Sequence, residues 1–203
     1  MSQAQAPDSS FIKASFSDKA AIAMGANVAS LYGTPQQTMR AALTHLANDS
    51  VKISSVSGFY ATPCFPPGAG PDYVNAAVMV ETKYSATELL NHVHHVEAYF
   101  GRERVQRWAS RTLDMDLLFL GSQVAPDLAG FQEWHDLDPG LQATRAPDKL
   151  ILPHPRIQDR AFVLVPLAEI APDWSHPVSG LTVSQMLEAL SEKDRAEISL
   201  LPG

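Results

Sequence analysis

Two helix starts are written out in full in this sequence, and their positions restrict the fold more than any other feature. In "TPQQTMRAALTHLAND" Thr34 stands at the N-cap, Pro35 at the first helical position and Gln37 at the third. That is a capping box, in which side chain and backbone satisfy each other's free N–H groups. Met39, Leu43 and Leu46 then recur at helical spacing. In "SATELLNHVHHVEAYFG" Ser85 and Glu88 repeat the device, Leu89, Val93, Val96 and Phe100 form the apolar stripe, and Gly101 stops it.

Strand-like runs surround these two helices. "KAAIAMG" precedes the first. "VKISSVSGFYAT" follows it, with Val51, Ile53, Ser55, Ser57 and Phe59 alternating onto one face. After the Pro/Gly-rich loop "TPCFPPGAGPD" comes "YVNAAVMVET", and after the second helix "TLDMDLLFL". The order β-α-β-β-α-β predicts an α+β, ferredoxin-like sandwich, with a four-stranded antiparallel sheet and both helices on one face. Residues 1–18 read as a polar extension and 19–203 as one domain. Within it, 121–148 has no sustained period and reads as a long loop insertion. "FVLVPLAEIAP" and "TVSQMLEAL" close the chain as a packed segment and a terminal helix.

At 203 residues the length suits one well-packed domain. The net charge of −7 argues against nucleic acid or an anionic membrane as partner. Yet eight of the 15 basic residues fall between positions 102 and 160, so a local anionic ligand is expected. One cysteine, Cys64, excludes an internal disulfide; with no apolar run of membrane-spanning length and no secretion-type start, a cytoplasmic location is the expectation.

The strand "RTLDMDLLFLG" places Asp114 and Asp116 two residues apart, on one face and roughly 7 Å apart at the backbone. Leu113, Met115, Leu117 and Phe119 then fill the other face and pack on the helices. The aspartates lie on the face that a two-layer fold leaves open. They are either an ordinary polar strand face or ligands of a hard cation such as Mg²⁺, which is held by one or two carboxylates plus substrate phosphates. Arginines surround them. "GRERVQRWASR" supplies Arg102, Arg104, Arg107 and Arg111, and "LPHPRIQDRAF" adds His154, Arg156 and Arg160. Carboxylates for metal and guanidiniums for phosphate are the components of phosphoryl transfer. Taken singly, Arg107 and Arg145 read as solvated surface charges. A third group is aromatic and amide: Phe65, Tyr73, Asn75, Trp108 and Phe162. Asn75 interrupts an apolar strand, where an unpaired amide costs about 1–3 kcal/mol, so it needs a partner. The rings are either core or the two sides of a bound heterocycle. His92, His94 and His95 share a helix without zinc-site spacing, and no Walker-type phosphate loop occurs.

With these residues in view, the chain resembles the 6-hydroxymethyl-7,8-dihydropterin pyrophosphokinase family of folate biosynthesis, over roughly residues 19 to 190. Four blocks carry the resemblance: "AIAMGANVAS", "SGFYATPCFPPGAGPDYVNAAVMVET", the helix and strand ending in R-T-x-D-x-D, and "LILPHPRIQDRAFVLVPLAEIAP". The resemblance implies that Asp114 and Asp116 bind two Mg²⁺ ions, and that Arg102 and Arg111 contact the transferring phosphates. It implies a pterin pocket of Thr62, Pro63, Phe65, Tyr73, Asn75, Trp108 and Phe162. It places His94, Glu97, Arg104, Arg111, Leu117, Lys149, His154 and Arg160 on the ATP side. The implied partners are ATP and the pterin alcohol alone, with neither nucleic acid nor membrane, and the implied state is a monomer. The chain departs from the family pattern at "GAN" for G-S-N, at Ser110 for a common proline, and at His94 for a frequent glutamine. The 121–148 insertion, with Trp134, covers the nucleotide side, contacts a partner or has no role. A catalytically silent relative and a two-metal nuclease or phosphatase are the competing functional readings.

Overall fold

The computed structural model describes residues 18–64, 70–101, 111–138, 141 and 145–202. Its first half follows the predicted order except that the single strand expected over 51–62 is divided in two: β1 Asp18–Ala26, α1 Pro35–Leu46, β2 Val51–Val56, β3 Tyr60–Thr62, β4 Tyr73–Thr82, α2 Ala86–Tyr99 and β5 Asp114–Leu120. Both capping boxes form. The Thr34 N–H donates to Gln37 Oε1 at 2.9 Å and the Ser85 N–H to Glu88 Oε2 at 2.8 Å, while each hydroxyl accepts from the third helical N–H. Such caps contribute about 1 kcal/mol each. Gly101 ends α2 at φ 83°, a left-handed conformation in which a side chain would be strained.

The antiparallel sheet has six strands rather than the expected four. Its order is β5-β1-β4-β3-β6, where β6 is Ser199–Leu200, with β2 also on β4. β2 pairs with the second half of β4 and β3 with residues 73–75, so two short strands line one edge end to end. The last strand, β6, pairs with β3.

Helices α1 and α2 cover one face over Ile22, Met24, Val78, Val80, Met115 and Leu117. The expectation that the opposite face stays open does not hold. There Ala21, Ala77, Met79, Leu118 and Phe119 pack against Val163, Leu164 and Leu167 of α4 (Ala161–Ile170) and Val183 and Met186 of α5 (Val183–Ala189). A short helix, α6 Glu192–Ala196, leads to β6. The apolar part of this covering meets the Asp18 half of the sheet, while Glu169 of α4 accepts hydrogen bonds from the Gly58 N–H and the Tyr60 hydroxyl at the far edge. Gly25, Asn75 and Asp114, at the other end, lie outside this second core.

Bulges shift two predicted faces. Ala21 pairs with Phe119 but Ile22 with Leu117, so Leu118 is an extra residue in β5. Phe119 is thereby turned onto the aspartates' face, not the helix face, where it stacks on Trp174 with ring centroids 3.9 Å apart. A second shift after Ile53 brings Val56 into the α1/α2 core with Val51, Ile53 and Phe59, and leaves Ser57 to accept the Ala77 N–H. The 121–148 segment is not wholly irregular either, since it holds α3, Leu128–His135, capped by Asp127. Eight residues are too few for periodicity to be read. Tertiary contact supplies the stability, chiefly through Phe131, 1% exposed. Among the described residues no helix is long and apolar enough to cross a membrane.

Candidate active site

The strand register assembles the site. Across three neighbouring strands Asp114 of β5 faces Gly25 of β1, and Gly25 faces Asn75 of β4. A Cβ on Gly25 would lie 3.1 Å from Asn75 Oδ1, so the bare glycine lets the amide and the carboxylate share one surface. Asn75 is 6% exposed and finds the partner that burial requires, donating to Thr62 Oγ1 at 2.8 Å. Tyr73 and Pro63 flank that pair along β4 and β3. Burial raises the Tyr73 phenol, which also feels Arg111, Cys64 and Asp114. Phe162 opens α4, 38% exposed, with the Arg160 guanidinium 5.7 Å from its ring centroid.

Each aspartate has its own arginine. Arg111 Nη1 is hydrogen-bonded to Asp114 Oδ2, and Arg160 Nη1 is 3.6 Å from Asp116 Oδ2. Desolvation lowers the Arg160 pKa while Asp116 opposes the shift. Asp114 is the more enclosed carboxylate, its side chain 19% exposed against 42% for Asp116.

β5 is the sheet's edge strand, and the His154 N–H donates to the Leu118 carbonyl at 2.7 Å. This contact brings the segment around His154 against β5, and a cleft of about 350 Å³ lies there. Asp116, Leu117, Lys149, His154 and Arg160, all named from the sequence, line it. His154 Nδ1 accepts the Arg156 N–H at 3.1 Å, so the neutral ring carries its proton on Nε2. Desolvation and the Arg160 and Arg156 charges lower its pKa to about 3, which keeps it a neutral donor at ordinary pH.

Other predicted residues stand apart from the cleft wall. Glu97 is 1% exposed and accepts the Met115 N–H at 2.7 Å, which fastens α2 to β5. His94 is half-buried on α2, where Leu90 from the preceding turn lines the cleft instead. Phe65, Arg102, Arg104, Arg107, Trp108 and Ser110 lie outside the described residues.

Sequence reasoning missed Asn27 and Arg145, and left the insertion with Trp134 open between the nucleotide side, a partner contact and no role. Asn27, in "GAN", is 5% exposed, accepts the Arg111 N–H at 2.8 Å and donates to the Pro71 carbonyl at 3.3 Å. It thus holds Arg111 and the approach to β4 together; a buried asparagine just after a strand was the available signal. Trp134 and Arg145 line the cleft, although Arg145 read as a plain surface charge. No spacing rule connects either to residues 114–116.

Could these residues hold a cation? The donors are two hard carboxylates on one strand face. Among the described residues no group of three or more His, Cys, Asp or Glu comes together. That donor set fits a Mg²⁺-like ion sharing its shell with phosphate oxygens, and does not fit a closed protein cage.

Comparison with known proteins identifies relatives over most of the chain. The family signature described as 7,8-dihydro-6-hydroxymethylpterin-pyrophosphokinase matches residues 21–172. The chain is 36% identical over 170 residues to a 2-amino-4-hydroxy-6-hydroxymethyldihydropteridine pyrophosphokinase of Synechocystis, across 83% of this chain and 74% of the relative. It is 31% identical over 183 residues to the Pseudomonas aeruginosa protein of the same name, across 90% and 96%. Among solved structures it is similar in fold to wild-type Plasmodium falciparum HPPK-DHPS with SDX-DHP, with a TM-score of 0.54 and 14% identity, covering 85% of this chain. This chain spans 43% of that longer one.

Proposed function

The chain belongs to the 7,8-dihydro-6-hydroxymethylpterin-pyrophosphokinase family, and from that premise we propose that it transfers pyrophosphate from ATP to 6-hydroxymethyl-7,8-dihydropterin in folate biosynthesis. The products are AMP and the pterin diphosphate. One observation carries the reading: Asp114 and Asp116, each beside an arginine, stand between a polar-aromatic surface on the sheet and a charged cleft on its edge. A pterin ring offers donors and acceptors that the Asn75 amide and Thr62 hydroxyl can read, and a flat face for Tyr73 and Phe162. A triphosphate suits the cleft of Lys149, His154, Arg156 and Arg160. In this reading β5, β1, β4 and the β2/β3 edge make up a ferredoxin-like core, with β6 and the second helical layer as additions, and the strand order supports it.

In this reading the pterin hydroxymethyl oxygen attacks the β-phosphorus and AMP leaves. Asp114 and Asp116 would hold Mg²⁺, which when bound neutralises charge on the phosphate oxygens. Arg111 and Arg160 add fixed positive charge that needs no proton transfer to persist. Neutral His154 donates a hydrogen bond. Asn75 and Thr62 hold the acceptor's edge so that its hydroxyl faces the carboxylates. Catalysis on these terms is positioning and charge neutralisation. The enzyme is expected to act as a monomer in the cytoplasm.

The test is a product assay with ATP, Mg²⁺ and the pterin alcohol. AMP and pterin diphosphate in equal amounts support the reading. Pterin binding without AMP supports a silent relative, and Mg²⁺-dependent orthophosphate release would support a phosphatase.

A further inference from the structure

The lining of the cleft divides by chemistry. Asp116, Lys149, Arg156 and Arg160 form a charged group, with His154 beside them as a neutral donor. Leu90, Leu117 and Leu150 form an apolar group that continues into the α1/α2 core. Trp134 is the one indole or phenyl ring among the described lining residues, and it comes from the insertion rather than from the sheet. Its position is fixed by contacts on the helix that bears it. Ala125 and Leu152 exchange N–H bonds of 2.9 and 3.1 Å, which ties the approach to α3 onto the cleft's own wall. Asp127 caps the helix, accepting the Gly130 N–H at 2.8 Å. Phe131 is buried against His176, with ring centroids 5.6 Å apart. Trp134, three residues on, lies about 60° around the helix from Phe131, on a neighbouring strip of the same face, and lines the cleft.

Arg145 then closes over it. The guanidinium carbon is 5.6 Å from the Trp134 ring centroid, and Nη2 is 3.9 Å from Glu133 Oε1. A cation over one face of an indole is attracted by the ring quadrupole and so restrains the ring. A volume of about 350 Å³ is of small-molecule size. We propose that Trp134, held by Arg145, is the stacking wall for the nucleobase of the phosphate donor, so that α3, which carries it, sets donor specificity. This rests on the nucleotide reading above. The charged group takes the polyphosphate, and the apolar group with the indole takes a planar base. An aromatic wall does not contact the phosphates, so its effect should vanish for a donor analogue that has no base.

The experiment measures binding of α,β-methylene-ATP and of inorganic tripolyphosphate, each with Mg²⁺, to wild type, Trp134→Ala, Trp134→Phe and Arg145→Ala. Trp134→Ala should weaken the nucleotide analogue about 10-fold, equivalent to about 1.4 kcal/mol, and leave tripolyphosphate unchanged. Trp134→Phe should stay within about threefold of wild type, and Arg145→Ala should fall between the two. In turnover the Trp134→Ala loss should appear in KM for ATP rather than in kcat. Unchanged binding of the analogue to Trp134→Ala overturns the inference, as does equal weakening of both probes, which would mean the variant had only disturbed the cleft. If wild type binds pterin but neither probe, the nucleotide reading itself falls and takes the inference with it. That outcome differs from the others because it is seen without any substitution.

Discussion

Replacing Asp116 with asparagine separates a functional carboxylate from a decorative one. The side chain is 42% exposed and its one described cationic neighbour, Arg160 Nη1, is 3.6 Å away. At that distance the attraction is about 1 kcal/mol in water and about 5 kcal/mol at an effective dielectric of 20. Solvent screening at this exposure brings the net toward the surface-pair range of ~0–1 kcal/mol. The charge of Asp114, roughly 7 Å away along the strand, repels Asp116 by about 0.6–2.4 kcal/mol over the same dielectric range. Removing the Asp116 charge loses one term and relieves the other, so Asp116→Asn should change folding stability by less than about 1 kcal/mol. Activity should respond very differently. If the carboxylate binds the cation that neutralises the transferring phosphates, AMP formation should fall at least ~100-fold, about 2.7 kcal/mol of transition-state stabilisation. Chemical denaturation and an AMP-release assay on one preparation measure both quantities. The same change at Asp114 should cost stability as well, because it strips the countercharge bonded directly to Arg111, whose side chain is 25% exposed. If Asp116→Asn retains activity within threefold of wild type, the metal assignment is refuted and the aspartates revert to a polar strand face.

Other outcomes follow from the same geometry. Asn27→Ala removes the amide joining Arg111 to Pro71 and should cost about 1–3 kcal/mol in denaturant unfolding; a change within 0.3 kcal/mol would show the clamp to be idle. Thr62→Val leaves the Asn75 amide without its hydroxyl and should weaken pterin binding by titration while sparing ATP-analogue binding; equal loss of both would contradict the division of the site. His154 has a folded pKa of about 3, below the unfolded value near 6.5, so the unfolded chain binds more protons between those pH values. Its contribution is therefore present above pH 6.5 and lost as pH falls toward 3. His154→Gln should flatten the acid side of the thermal-stability profile, and an unaltered slope would place His154 in solvent.

The elements readable from the sequence are those whose hydrogen bonds close within one turn. Thr34 with Gln37 and Ser85 with Glu88 are contacts between residues three apart, so their spacing alone determines them. Asp114 and Asp116 share a face for the same local reason, an alternation of period two. Asn75 was marked because an amide in an apolar strand must be paired, though nothing local names Thr62 as the partner. What escaped depends on residues far apart in the chain. The bulge that turns Phe119 toward Trp174 is a mismatch between β5 and β1, visible only once they pair. The Glu97 tie, the Asn27 clamp and β6 join residues 18, 84 and up to 140 positions apart, and the second helical layer packs equally distant segments. The amino-acid order by itself therefore determined α1, α2 and the aspartate strand, because those are set by short-range geometry. Only the tertiary structure decided which face each residue meets and that Trp134 stands over the cleft, because such contacts are chosen by burial and register among distant segments.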